Sequence, residues 1–226
     1  HTAYRRQRQM CIRDSGCAVS MPFKEACIEY LDGLHDSAAT LQSVNTIVAD
    51  DGRLTGYNTD YSAVVSLLGK HGVPRDTRYA LRGSGGMAKA VGCALRDSGF
   101  ASGCIVARNQ AAGRALAEQC GVQWREALGD ERAELLVNVT PLGMRGAEAD
   151  QLAFDEPAVA AARWVFDVVA VPVETPLIRL ARSLGRPVIT GGEVIVLQAV
   201  EQFVLYTGVR PDDELIERAA RFALAD

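Results

Sequence analysis

The chain has 226 residues, 48% hydrophobic and 23% charged, enough to bury the core of one large domain or two small ones. Its 24 Lys and Arg against 28 Asp and Glu leave a net charge of −4, with no basic excess to favour nucleic acid. No run of ~18 apolar residues is present to span a membrane. Six cysteines (Cys11, Cys17, Cys27, Cys93, Cys104 and Cys120) contain no C-x-x-C, and the three histidines have no metal-ligand spacing. They read as reduced thiols and ordinary histidines of a cytoplasmic protein without a metal site.

Residues 1–15 carry Arg5, Arg6, Arg8 and Arg13 with no acid before Asp14. They lack the apolar stretch of a secretory signal and are thin in hydroxyls for a transit peptide. They read as a non-native tail joined near Gly16. A short strand then ends at Ser20, and Pro22 suits the first position of a helix running to Leu31. Lys24 falls in its first turn, where the helix dipole is positive. It is either a solvated surface lysine or one held for proton transfer. Ser43–Ala49 reads as a strand, Asp51-Gly52 as a hairpin turn and Arg53–Asn58 as the returning strand. Thr59-Asp60 opens a helix to about Lys70, with Asp60 placed to cap it. Asn45 is a polar residue in the strand with no evident task.

From Val73 the pattern changes. Apolar strands at Thr77–Leu81, Cys104–Ala107, Val122–Trp124, Glu134–Asn138, Trp164–Val169 and Pro187–Thr190 are separated by crossover segments. Helices are expected over Ala88–Ser98 and Gln110–Cys120. This alternation predicts an α/β fold with a doubly wound parallel sheet. Ligands of such sheets lie beyond the carboxyl ends of the strands, here Gly83 to Gly86, Arg108, Asn138 to Thr140, and Val168 to Ala170. Gly83-Ser84-Gly85-Gly86-Met87-Ala88 is a G-x-G-x-x-A turn in the strand-to-helix context that binds a dinucleotide pyrophosphate. Gly83 allows the tight turn, Gly85 the approach of the backbone, and Ala88 close helix packing. The second strand ends in Ala107-Arg108-Asn109, with an arginine and no acid. This favours NADP over NAD, with Arg114 as a second cation; otherwise both arginines are solvated surface residues. After Gly191-Gly192, Glu193–Tyr206 is a helix apolar on nearly every face, with Gln198 in its middle needing either a core partner or a ligand. Asp212–Ala225 is a last amphipathic helix. The domains divide as 16–60 with 192–226, and 61–191.

Six motifs in order, Ser20-Met21-Pro22-Phe23-Lys24-Glu25, Val44-Asn45-Thr46-Ile47, Asn58-Thr59-Asp60, the glycine turn, Asn138-Val139-Thr140-Pro141-Leu142-Gly143-Met144 and Gln198-Ala199, closely resemble those of shikimate dehydrogenases. Cys17–Pro22 and Val196–Phe203 are most similar to the shikimate dehydrogenase-like branch. The resemblance implies a Rossmann-type NADP domain beside a smaller α/β substrate domain, and NADP-linked interconversion of shikimate and 3-dehydroshikimate. It implies Lys24 and Asp60 as the catalytic pair and Ser20, Asn45 and Gln198 as substrate contacts. Gly83, Ser84, Gly85, Gly86, Met87, Ala88, Arg108, Asn138, Thr140 and Val168 would meet the cofactor, in a monomer or homodimer. The chain departs from the family at Ala170, where a tyrosine usually contacts substrate, at Ala18, often Asn, and at Glu193, a glycine in the main enzyme. A family strand with two substrate-binding hydroxyls is not found before Gly16. Quinate oxidation, or NADP binding without catalysis, are the alternative expectations.

Overall fold

The computed structural model describes residues 16–20 and 22–223. The tail expected over residues 1–15 lies outside the described residues, as do Met21 and the end of the last predicted helix. Two compact units divide the chain, one formed by residues up to 62 with those from 197 onward, the other by residues 63–196. The divisions at 62/63 and 196/197 fall inside two helices.

The first unit begins with strand β1 (Gly16–Ala18). The helix expected after Pro22 is a single α-turn, α1 (Phe23–Ala26), tightening into a 3-10 turn over Cys27–Tyr30. Leu31 is already extended. Two short elements that the sequence did not announce follow, β2 (Gly33–Leu34) and α2 (Asp36–Ala39). The hairpin is β3 (Thr46–Asp50) and β4 (Arg53–Tyr57), so Asn45 precedes its strand. Helix α3 (Thr59–Lys70) leads into the second unit. The four strands form one mixed sheet in the order β1-β3-β4-β2. Gly56 is the tight point of this sheet: a Cβ there would meet Leu31, Val44 and Leu34 at 2.7–2.9 Å.

The second unit alternates as predicted: β5 (Tyr79–Arg82), α4 (Gly86–Asp97), β6 (Gly103–Val106), α5 (Gln110–Cys120), β7 (Gln123–Arg125), β8 (Leu135–Asn138), α6 (Glu156–Ala161), β9 (Trp164–Asp167), α7 (Pro176–Ser183) and β10 (Val188–Thr190). The six strands are all parallel, in the order β10-β9-β8-β5-β6-β7. Numbered within the unit this is 6-5-4-1-2-3, the dinucleotide-binding order, whose switch point lies between β5 and β8. Its strands read as unbroken apolar runs because both faces are covered; Leu81, Ile105, Leu135, Val137, Val165 and Phe166 are fully buried.

Helix α8 (Gly191–Thr207) starts two residues earlier than the sequence suggested. Thr190 and Glu193 form a capping box there: Glu193 N donates to Thr190 Oγ1 at 3.3 Å, and Glu193 Oε2 accepts from Thr190 N at 2.9 Å. A Cβ on Gly191 would lie 2.3 Å from the Val169 carbonyl oxygen and 2.4 Å from that of Val168, so only glycine can begin the helix so close to the end of β9. Helix α9 (Asp213–Ala223) closes the described chain.

Candidate active site

Lys24 and Asp60, 36 residues apart, meet in the first unit: Lys24 Nζ donates to Asp60 Oδ2 at 3.0 Å. The Lys24 side chain is 27% exposed and that of Asp60 6%. The chain around them explains the pairing. The Lys24 carbonyl accepts from Val44 N at 2.8 Å, which ties α1 to the segment entering β3. The sequence suggested Asp60 as the helix cap, but the cap of α3 is supplied by others. Asn58 Oδ1 accepts from Tyr61 N at 3.2 Å, and Asn45 Oδ1 accepts from Thr59 N at 2.9 Å. With those donors taken, the Asp60 carboxylate sits in the positive first turn of the helix and is directed to Lys24. A lysine amine beside a carboxylate can take up a proton, because the carboxylate offsets the ammonium charge that forms, and can give the proton back.

Of the other residues expected at the substrate, Asn45 is 1% exposed. Its amide is engaged with Thr59 and with Thr46, whose Oγ1 donates to Asn45 Oδ1 at 2.9 Å. Ser20 is exposed, and its carbonyl accepts from Phe23 N at the start of α1. Gln198 is half-buried on α8. The amide of that helix anchored to the hairpin is Gln202, one turn on, whose Nε2 donates to Thr46 Oγ1 at 3.0 Å.

In the second unit the glycine turn has the required form. Gly83 has φ +133°, and a Cβ there would meet Val139 Cγ2 at 2.7 Å. Gly85 precedes α4 with no side chain capping it, and a Cβ on Gly85 or Gly86 would meet nothing within 4 Å. The first N–H groups of α4 are thus open to an anion. Ser84 and Met87 are half-buried and Ala88 fully buried, as close helix packing needs. Beside the turn is a cavity of about 630 Å³ whose lining includes Gly83, Ser84, Arg82, Arg108, Glu126 and Thr140. Arg114 does not line it: its guanidinium lies over the Trp124 ring at 4.8 Å, and it borders a separate cavity with Glu118. The second cation of the main cavity is Arg82, at the end of β5.

Asn138, Thr140 and Val168 sit on one hydrogen-bonded network. Asn138 Nδ2 donates to Asp167 Oδ1 at 3.0 Å, while Asn138 Oδ1 accepts from Thr140 N at 3.0 Å and Thr140 Oγ1 at 2.6 Å. Val168 N donates to the Asn138 carbonyl at 3.0 Å. Asp167 also accepts from Thr175 Oγ1 at 2.7 Å and Val169 N at 3.1 Å. Burial pushes its carboxyl up to about 6, against the pull of these donors. Sequence reading passed over both Arg82 and Asp167; the signal was a charge closing an otherwise apolar strand. Among the described residues no cluster of His, Cys, Asp or Glu could hold a metal ion, and no helix is long and apolar enough to cross a membrane.

Residues 6–47 match the shikimate dehydrogenase substrate binding domain. A shikimate dehydrogenase-like protein of Haemophilus influenzae is 52% identical over 209 residues, 92% of this chain and 77% of that protein. The chain belongs to the shikimate dehydrogenase family. A solved shikimate 5-dehydrogenase-like protein superposes with TM-score 0.91 at 51% identity, over 98% of this chain and 82% of that one. The shikimate 5-dehydrogenase of Thermus thermophilus, solved with NADP(H) and shikimate, superposes with TM-score 0.84 at 31% identity, over 97% of this chain and 83% of that one.

Proposed function

We propose that this chain is an NADP-dependent oxidoreductase interconverting shikimate and 3-dehydroshikimate. The observation that carries the reading is the 3.0 Å bond between Lys24 and Asp60 in a chain of this family. Oxidation of a ring hydroxyl requires that its oxygen lose a proton while hydride leaves the same carbon. NADP, when bound, supplies the hydride acceptor. The residues present fit it: an uncapped helix N-terminus behind Gly85 for the pyrophosphate, and two guanidinium groups, Arg82 and Arg108, in the adjoining cavity. Arg108 takes the 2′-phosphate, and Asn138, Thr140 and Val168 shape the loops on the nicotinamide side. Lys24 Nζ binds the reacting hydroxyl, takes its proton in the oxidising direction and returns it in the reducing one. Asp60 holds Nζ in position and offsets the ammonium charge. Asn45 and Asn58 fix the start of α3 and so the place of Asp60. Ser20 and Gln198 recognise the remaining hydroxyl and carboxylate groups of the substrate, whereas Asn45, buried and bonded to Thr46 and Thr59, acts through the start of α3.

The test is reduction of NADP⁺ by shikimate, with quinate run alongside. Lys24→Ala and Asp60→Asn are each expected to lower kcat by about 10²–10⁴-fold, the range of proton-transfer groups, while NADP⁺ affinity stays as in the parent. A better kcat/KM with quinate moves the substrate. Tight NADP⁺ binding with turnover of neither acid overturns the reading and leaves a nucleotide-binding protein.

A further inference from the structure

Arg82 occupies an unusual place. It closes β5, the central strand of the parallel sheet, whose other residues Tyr79, Ala80 and Leu81 are fully buried. The switch-point position just before Gly83 therefore carries a half-buried cation. The guanidinium is not loose. Its Nη1 donates to the Ala153 carbonyl, and its Cζ lies 6.0 Å from the Phe154 ring centroid. Burial weakens its hold on its proton, and the nearby charge that bears on it is Arg108, of the same sign. Arg82 and Arg108 line one cavity of about 630 Å³. Glu126 and Glu148 also line the cavity, so its charge is mixed; what distinguishes Arg82 and Arg108 is that they bring two guanidinium forks to one space. Rigid, planar forks of this kind are suited to a phosphate monoester.

Resting on the NADP reading above, we propose that Arg82 is a cofactor-specificity residue, forming with Arg108 a two-arginine clamp on the adenosine 2′-phosphate. The pyrophosphate has its own partner in the N-terminus of α4, on the other side of Gly83. The 2′-phosphate is the group that NAD lacks. The anchoring of Arg82 by Ala153 and Phe154 pre-forms one arm of the clamp, whereas Arg108 is exposed and closes from the loop after β6. Arg82 therefore supplies discrimination that the usual reading of the second strand assigns to Arg108 alone.

The experiment is calorimetric titration of the full chain with 2′,5′-ADP and with ADP, which need no substrate and no turnover. The parent should bind 2′,5′-ADP more tightly. Arg82→Leu should weaken 2′,5′-ADP by about ten- to a hundredfold, the worth of charge-assisted bonds to phosphate, and change ADP by less than about twofold. Retained ADP binding shows that the site is folded. Arg82→Lys, which keeps the charge and loses the fork, should fall between. The losses in Arg82→Leu and Arg108→Leu should combine to less than their sum in the double variant, because both arms grip one phosphate. A loss of ADP affinity in Arg82→Leu as large as that of 2′,5′-ADP overturns the proposal in favour of the 5′-phosphate that both carry, a larger loss of ADP overturns it in favour of the pyrophosphate that only ADP carries, and unchanged 2′,5′-ADP affinity overturns it outright. A parent protein that binds NAD⁺ as tightly as NADP⁺ instead removes the NADP reading on which the clamp depends.

Discussion

The two units are held together by different physics. In the second, residues 63–196, the interior is apolar: Leu81, Leu95, Ile105, Leu135, Leu136, Phe166 and Ile178 are fully buried around the parallel sheet. In the first, the buried apolar residues among those described are Ala38, Leu41, Val44 and Val200. Beside them lie Ser37, Ser43, Asn45, Thr46, Asn58, Thr59 and Asp60, all buried and polar. The first unit is thus ordered by a mesh of side-chain hydrogen bonds. Asn58 alone joins Ser37, Ser43 and Tyr61. Burial of apolar area is forgiving of direction, whereas a buried polar mesh specifies it. The unit that positions a proton-transfer pair is the one built on directional bonds.

Substitutions can break this contrast. The largest effect is expected from Phe166→Ala in β9, where a fully buried ring is deleted: about 3–5 kcal/mol of stability lost. Both tryptophans, Trp124 and Trp164, lie in the second unit, so their emission during urea unfolding reads this loss directly. A loss under about 1 kcal/mol would contradict an apolar core of the stated kind.

Asp167, buried with Asn138 and Thr175 in a small polar network of the second unit, gives the next effect. Its folded value of about 6 stands above the ordinary 3.8. The stability that this difference contributes is fully present below about pH 4 and is lost as pH rises through 6, about 3 kcal/mol in all. The stability difference between the parent and Asp167→Asn should slope across that window and flatten above it. A flat difference from pH 4 to 7 would show that the carboxyl is ionised throughout.

The smallest effect on stability, and the sharpest on function, is expected from Asn45→Ala. It leaves the buried Thr59 N–H without its acceptor and costs about 1–3 kcal/mol. The tryptophan-reported unfolding should barely move, while hydrogen exchange at Thr59 and Tyr61 quickens and kcat falls because Asp60 is no longer held. Normal kcat with fast exchange would separate Asn45 from the placement of Asp60.

The same contrast governs what was legible in the sequence. Parallel strands covered on both faces write themselves as apolar runs, and each of the six was recognised to within about two residues. The glycine turn was readable because its conformation permits only glycine at Gly83. The first unit resisted. β2 and α2 have two and four residues, too short for any periodicity to register. Lys24 and Asp60 could be named from the family's motifs, yet position alone suggested a surface lysine and a helix cap. The partition of roles among Asn45, Asn58 and Asp60 depends on which of several adjacent polar groups reaches which N–H, and residue type does not encode that. Arg82 was missed because strand pattern was read for its apolar members and not for the charge that ends it.

That α3 takes its cap from Asn58 and not from Asp60 has a practical meaning for anyone redesigning the site. Starting a helix and placing a carboxylate are here tasks of separate side chains. Position 60 can therefore be edited at near-constant volume, by the amide or an isostere of the same size, without removing the cap that starts the helix.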